Sequence, residues 1–122
     1  MEIIMRNIEK IDKPTDTEVA RKFISIESSA NSRNKEFNLS LNDVRRILST
    51  KKCYISGIPI KRYGNTDNVF DDALTFERLD NDLGYVKGNV VACSFKWNQI
   101  KGKLTNEEIT ILYKAITKKV NK

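Results

Sequence analysis

The sequence predicts an α+β domain in which two helices precede a β-hairpin and two follow it. Three observations carry this reading. Thr15-Asp16-Thr17-Glu18, Ser40-Leu41-Asn42-Asp43 and Thr105-Asn106-Glu107-Glu108 each place a helix-start signal just before an apolar stripe of helical spacing. Leu74-Thr75-Phe76-Glu77-Arg78-Leu79-Asp80 alternates apolar and polar side chains, as a half-buried strand does. Gly88-Asn89 then opens a second apolar run, Val90-Val91-Ala92-Cys93, completing a hairpin. With 122 residues, 39% hydrophobic and 31% charged, the chain is long enough for one small domain with a modest core and too apolar for a disordered tail. Residues 1–14 read as an N-terminal segment and 15–122 as one domain, its core at about 53–102.

Taken in order, Ile3, Ile4, Ile8 and Ile11 recur at roughly helical spacing before Pro14 breaks the pattern. The first domain helix is expected over 16–33, with Val19, Phe23 and Ile26 as its apolar line and Asn34 as its stop. Arg21, Lys22, Arg33 and Lys35 give it positive charge. The second helix starts after Ser40 and carries Leu41, Val44, Ile47 and Leu48 over Arg45 and Arg46. Cys53 to Ile60 forms a turn, because Gly57 permits tight geometry and Pro59 resists helix. Residues 61–73 read as a polar loop. In the first strand Leu74, Phe76 and Leu79 should point inward, and Asn81-Asp82-Leu83-Gly84 makes the turn. Ser94 can cap a short helix holding Trp97, Asn98 and Lys101, which Gly102 ends. The last helix, from Thr105 to about 119, lines Ile109, Leu112, Tyr113 and Ile116 on one face, with lysines near its C-terminal end.

Composition narrows the function. A net charge of +6 suits an anionic partner, nucleic acid foremost. The absence of histidine excludes a histidine base and a histidine metal ligand. Two cysteines are too few for a four-cysteine zinc site and fit a reducing cytoplasm. No apolar run is long enough to cross a bilayer, and no signal-peptide pattern opens the chain, so no membrane partner is expected.

The hairpin and the short helix bring Glu77, Arg78, Asn89, Asn98 and Lys101 into one unit. One carboxylate and one amide oxygen can hold a hard cation such as Mg²⁺ that keeps water in its remaining positions. Each residue also has a purely structural use. Asp80, Asn81 and Gly84 can build the turn, Arg78 can pair with a nearby acid, Asn98 can cap backbone groups, and Trp97 and Tyr85 can pack.

Residues 20–115 resemble the phage-borne, histidine-poor branch of the HNH endonucleases, the ββα-metal or treble-clef nucleases. The resemblance is carried by Phe37-Asn38-Leu39-Ser40-Leu41-Asn42-Asp43, by Cys53-Tyr54-Ile55-Ser56-Gly57-Ile58-Pro59-Ile60, by Thr75-Phe76-Glu77-Arg78-Leu79-Asp80-Asn81-Asp82-Leu83-Gly84-Tyr85-Val86-Lys87-Gly88-Asn89-Val90, and by Asn98-Gln99-Ile100-Lys101. It implies a hairpin-plus-helix metal core flanked by N- and C-terminal helices. It maps the metal-ligand acid to Glu77, the catalytic histidine to Arg78, the orienting asparagine to Asn89 and the second metal ligand to Asn98. Arginine stays protonated and cannot serve as the base, which leaves water activation to the metal or to Asp80. The implied cofactor is Mg²⁺ or Mn²⁺. The zinc knuckles of relatives map to Cys53, Ser56, Ser94 and Trp97. Only Cys53 is kept there, so the zinc reads as lost and its space as filled by Trp97. A mixed site on Cys53, Cys93 and two other ligands is the alternative.

The expected function is that of a phage or mobile-element endonuclease hydrolysing DNA, with Arg78, Lys101, Arg21, Lys22, Arg33 and Lys35 meeting phosphates in the host cytoplasm. The alternatives are a catalytically dead module that binds nucleic acid or blocks a host defence or replication protein, and a homodimer formed through residues 1–13.

Overall fold

The computed structural model describes residues 9–10, 13–64 and 68–120. The elements are β1 (Glu9–Lys10), α1 (Asp16–Ser32), α2 (Leu41–Leu48), β2 (Arg62–Tyr63), β3 (Leu74–Arg78), β4 (Val90–Ser94), α3 (Phe95–Lys101) and α4 (Asn106–Val120). β1 pairs antiparallel with β2, and β3 with β4. The fold is α+β, with helices packed around a small antiparallel hairpin.

Caps fix the helix starts. Thr15 Oγ1 accepts from Glu18 N–H at 3.1 Å. The reciprocal half of that cap is missing, because the Glu18 carboxylate instead takes Arg62 Nη1 at 2.6 Å. Ser40 and Asp43 form both halves at α2, as do Thr105 and Glu108 at α4. Asn34, at φ 54, turns the chain out of α1, and Lys35 N–H closes back on Ala30 C=O at 2.8 Å. Gly102, at φ 51, ends α3 in a conformation that a Cβ would strain.

Val19, Ile26 and Ala30 of α1 and Val44, Ile47 and Leu48 of α2 form the centre of the core with Ile60, Tyr85, Val90 and Ala92. Leu41 does not join them. It is exposed at the first position of α2. Residues 9–10 are strand rather than helix, hydrogen-bonded to a ladder inside the stretch read as a loop. The other residues of the 1–12 stretch, with its isoleucines and the proposed dimer contact, lie outside the described residues.

In the β3–β4 ladder Leu74 faces Ser94, Thr75 faces Cys93, Phe76 faces Ala92, Glu77 faces Val91 and Arg78 faces Val90. Residues directly opposite share a face, so the hairpin has two working sides. Leu74 and Phe76 pack against the core, as the alternation predicts. Thr75 and Glu77 occupy the other side, which α3 covers. Trp97 of α3 packs partly buried against the core.

The turn before this ladder is fastened where the zinc knuckles would lie. Tyr54 N–H donates to Ala92 C=O at 2.9 Å, and the Cys53 and Cys93 sulfurs stand 3.3 Å apart as free, buried thiols. Ser94 N–H also donates to Cys53 Sγ at 3.3 Å.

Candidate active site

A cleft opens between the β3–β4 turn and the α3–α4 junction. Glu77, Arg78 and Asp80 line it from the hairpin, Asn98 and Gln99 from α3, and Lys103, Thr105 and Glu107 from the junction and the start of α4. Arg33, at the end of α1, reaches its rim.

Glu77 and Asn98 therefore meet in one cleft. Strand alternation puts Glu77 on the face of Thr75, and Asn98 Nδ2 donates to Thr75 Oγ1 at 3.0 Å. That bond leaves the Asn98 side-chain oxygen free as an acceptor. Glu77 is 8% exposed as a residue, and its carboxylate opens onto the cleft; among the described residues no buried side-chain oxygen lacks a hydrogen-bond partner. A carboxylate that opens onto a cleft is of the chemical kind that can take a hard cation. Thr75 is a positioning residue that the motif reading passed over. Its signal was available, since it lies two positions before Glu77 on the same strand face.

Asn89 is buried and fully engaged. Its Oδ1 accepts from Asp80 N–H at 2.9 Å, and its Nδ2 donates to the carbonyls of Asp80 at 3.1 Å and Gly84 at 2.9 Å. It fastens the loop that follows Glu77 and touches no reacting group. Asp80 is part of the same fastening, for its Oδ1 accepts from Asp82 N–H at 2.9 Å.

Arg78 is partly committed. Its Nη1 donates to the carbonyls of Asn81 at 3.0 Å and Leu83 at 2.9 Å, and its guanidinium lies 5.1 Å from the centre of the Tyr85 ring. The remaining N–H groups can still meet an anion in the cleft. Tyr85 itself ties three parts together: its hydroxyl accepts from Arg33 Nη1 at 3.1 Å, and its backbone bonds to Glu36 and Asn38.

Two of the residues expected to meet phosphate have other partners within the structure. Lys101 is 5% exposed and points its ammonium at Arg78 C=O, 3.4 Å away. It supports the end of β3 from behind because the last turn of α3 faces the hairpin. Lys22 lies over the Phe76 ring, 5.0 Å from its centre, and burial lowers its pKa from the ordinary lysine value. The basic residues of α1 consequently separate. Arg33 and Lys35 reach the loop at the cleft, Lys35 through Asp82 C=O at 3.2 Å. Arg21 and Lys22 instead line a second depression with Glu18 and Arg62.

The donors fit a hard cation better than zinc. Carboxylate and amide oxygens suit Mg²⁺ or Mn²⁺, which need few protein ligands. Among the described residues no group of three or more His, Cys, Asp or Glu side chains could hold a metal ion.

No protein-family model matches the chain. It is 36% identical over 91 residues to an uncharacterized 29.0 kDa protein in the dda-modA intergenic region of Enterobacteria phage T4, a match that covers 75% of this chain and 35% of that protein. The chain thus spans about a third of that relative's length. Among solved structures it is similar to the rare-cutting HNH restriction endonuclease PacI, with a TM-score of 0.58 and 19% identity over 83% of this chain and 78% of that one. That likeness establishes an HNH-like fold. Among the described residues no helix is long and apolar enough to cross a membrane.

Proposed function

We propose that this chain is an HNH-like endonuclease module of a phage protein, which binds DNA in the cleft and hydrolyses its phosphodiester bonds. One observation carries the reading: the Glu77 carboxylate opens onto the same cleft as Asn98. Two neighbours support it in kind, a phage protein of unassigned activity and a restriction endonuclease that perturbs DNA.

Glu77 and the Asn98 side-chain oxygen would hold Mg²⁺ or Mn²⁺. When bound, it would supply charge neutralisation at a phosphate oxygen and lower the pKa of a water. Thr75 aims the Asn98 amide. The free N–H groups of Arg78 receive a second phosphate oxygen, while Arg33 and Lys35 draw the backbone towards the rim. The carboxylate oxygen of Asp80 not used by Asp82 accepts the proton of the attacking water. The new bond joins water oxygen to phosphorus, and the broken ester leaves one strand end as a phosphate and the other as a hydroxyl, its leaving oxygen taking a proton from solvent water.

The test is cleavage of supercoiled plasmid, single-stranded DNA and RNA by the purified protein, with Mg²⁺, Mn²⁺ or EDTA. Metal-dependent nicking that falls at least about a hundredfold in Glu77→Gln is expected, the scale of removing a group that stabilises transition-state charge. Equal cleavage by Glu77→Gln would overturn the assignment. A second reading is favoured by the substitution of arginine at the position of the base and by its engagement with the turn carbonyls. In that case the same cleft binds nucleic acid without cutting it, and Glu77→Gln retains binding.

A further inference from the structure

α4 carries an apolar stripe that its own domain does not cover. Ile109, Leu112, Tyr113, Ile116 and Val120 recur at i, i+3, i+4, i+7 and i+11, within about a third of the helix circumference. None of them is buried. Leu112 is 48% exposed, Tyr113 68%, Ile116 59% and Val120 74%. The sequence alone suggested a face packed on the core, yet the break at Gly102 and the turn after it carry α4 away from the hairpin.

The charges beside the stripe indicate what covers it. Glu108 and Lys119 lie three turns apart on the same edge, one at each end. The opposite edge holds Asn106, Thr110 and Thr117, which are uncharged. A second copy of the helix laid antiparallel would bring Glu108 against the partner copy's lysine at the same edge, twice by symmetry, and would oppose the two helix dipoles favourably. A parallel copy would instead set this charged edge against the uncharged edge of its partner and leave Glu108 and Lys119 without a match.

We propose that α4 is a self-association surface, through which two copies of this chain pair by antiparallel packing of the stripe. Glu108 and Lys119 set the direction of pairing. Because Thr105 and Glu107 at the start of α4 also line the cleft, the pair holds two clefts at opposite ends of one two-helix seam, related by a two-fold axis. This inference stands on the stripe and its flanking charges, not on cleavage.

Sedimentation velocity of the full chain across micromolar concentrations tests it. A monomer–dimer equilibrium is expected, and Leu112→Asp with Ile116→Asp should shift it to monomer while circular dichroism keeps the helical signal. Glu108→Lys alone and Lys119→Glu alone should each weaken the dimer roughly tenfold, two reversed surface pairs at about 1 kcal/mol or less each. Glu108→Lys also removes an acceptor of the Thr105 N–H, so the decisive arm mixes the two single variants. In an antiparallel heterodimer both pairs become attractive again, and the mixture should recover association that neither variant shows alone. A wild-type chain that stays monomeric, a dimer indifferent to the Asp variants, or a mixture with no recovery would each overturn the proposal.

Discussion

Cys53 and Cys93 form a coupled pair whose charge the surrounding hydrogen bonds decide. Burial raises the Cys53 thiol, but donors from Ser56, Ser94 and Cys93 outweigh it and bring the group down to about 6. Burial, the adjoining Cys53 sulfur and the charge of Glu77 push Cys93 up to about 12. Both groups start from 9.0. Below about pH 9 the unfolded chain therefore binds more protons than the folded one, and stability falls as pH drops from about 9 towards about 6. Above about 9 Cys93 reverses the sign. Urea midpoints of the wild type, measured against Cys53→Ala, should thus show a wild-type advantage that grows from pH 6 to pH 9; a constant difference would refute the shift. The candidate site was partly legible at this scale, because Glu77 and Asn89 stand in one specific string and Asn98 opens the Asn98-Gln99-Ile100-Lys101 segment after it. Their jobs were less so. Alternation placed Glu77 opposite Phe76 but could not show that α3 closes that side. The tasks of Arg78 and Lys101 depend on carbonyls that only the folded turn and the end of β3 supply.

At the scale of elements, the loop between β3 and β4 is a fastened structure and not a loose turn. Asn89 satisfies three of its backbone groups, so Asn89→Ala should cost about 2–4 kcal/mol by leaving buried polar groups unpaired. Gly84 lies against the backbone of Glu36, where an added Cβ would overlap the carbonyl oxygen. Gly84→Ala should therefore destabilise by about 3 kcal/mol, the upper range for overpacking, while Gly57→Ser, which meets nothing nearby, should cost only the strain of its positive φ. Chemical denaturation of the variants checks the order. The helices were readable because their caps are local chemistry, and the hairpin because its alternation is. The two-residue ladder of β1 and β2 was not, since so short a pairing leaves no period in the sequence and depends on a partner some fifty residues away.

For the molecule as a whole, the positive charge that suggested a nucleic-acid partner is divided between two regions. Arg33 lines the Glu77 cleft and Lys35 reaches its loop through Asp82 C=O, while Arg21 and Lys22 lie towards the second depression. Arg33→Glu should lower the log–log salt slope of DNA binding by about 0.9, one phosphate contact, and Arg21→Glu should leave it unchanged. Equal effects would show that DNA runs along the whole of α1. This division was invisible in composition, because Arg21 and Lys22 lie within α1 while Arg33 and Lys35 lie at and beyond its C-terminal end, one short stretch of sequence that the fold points to separate places. The fastening of the β3–β4 loop has one more implication. Asn89, Gly84 and Tyr85 hold the loop from inside, whereas the Leu83 side chain is 51% exposed at its tip. Such a division separates evolvability from integrity: the tip can be rewritten, by selection or by a protein engineer, while the carboxylate below it keeps its place.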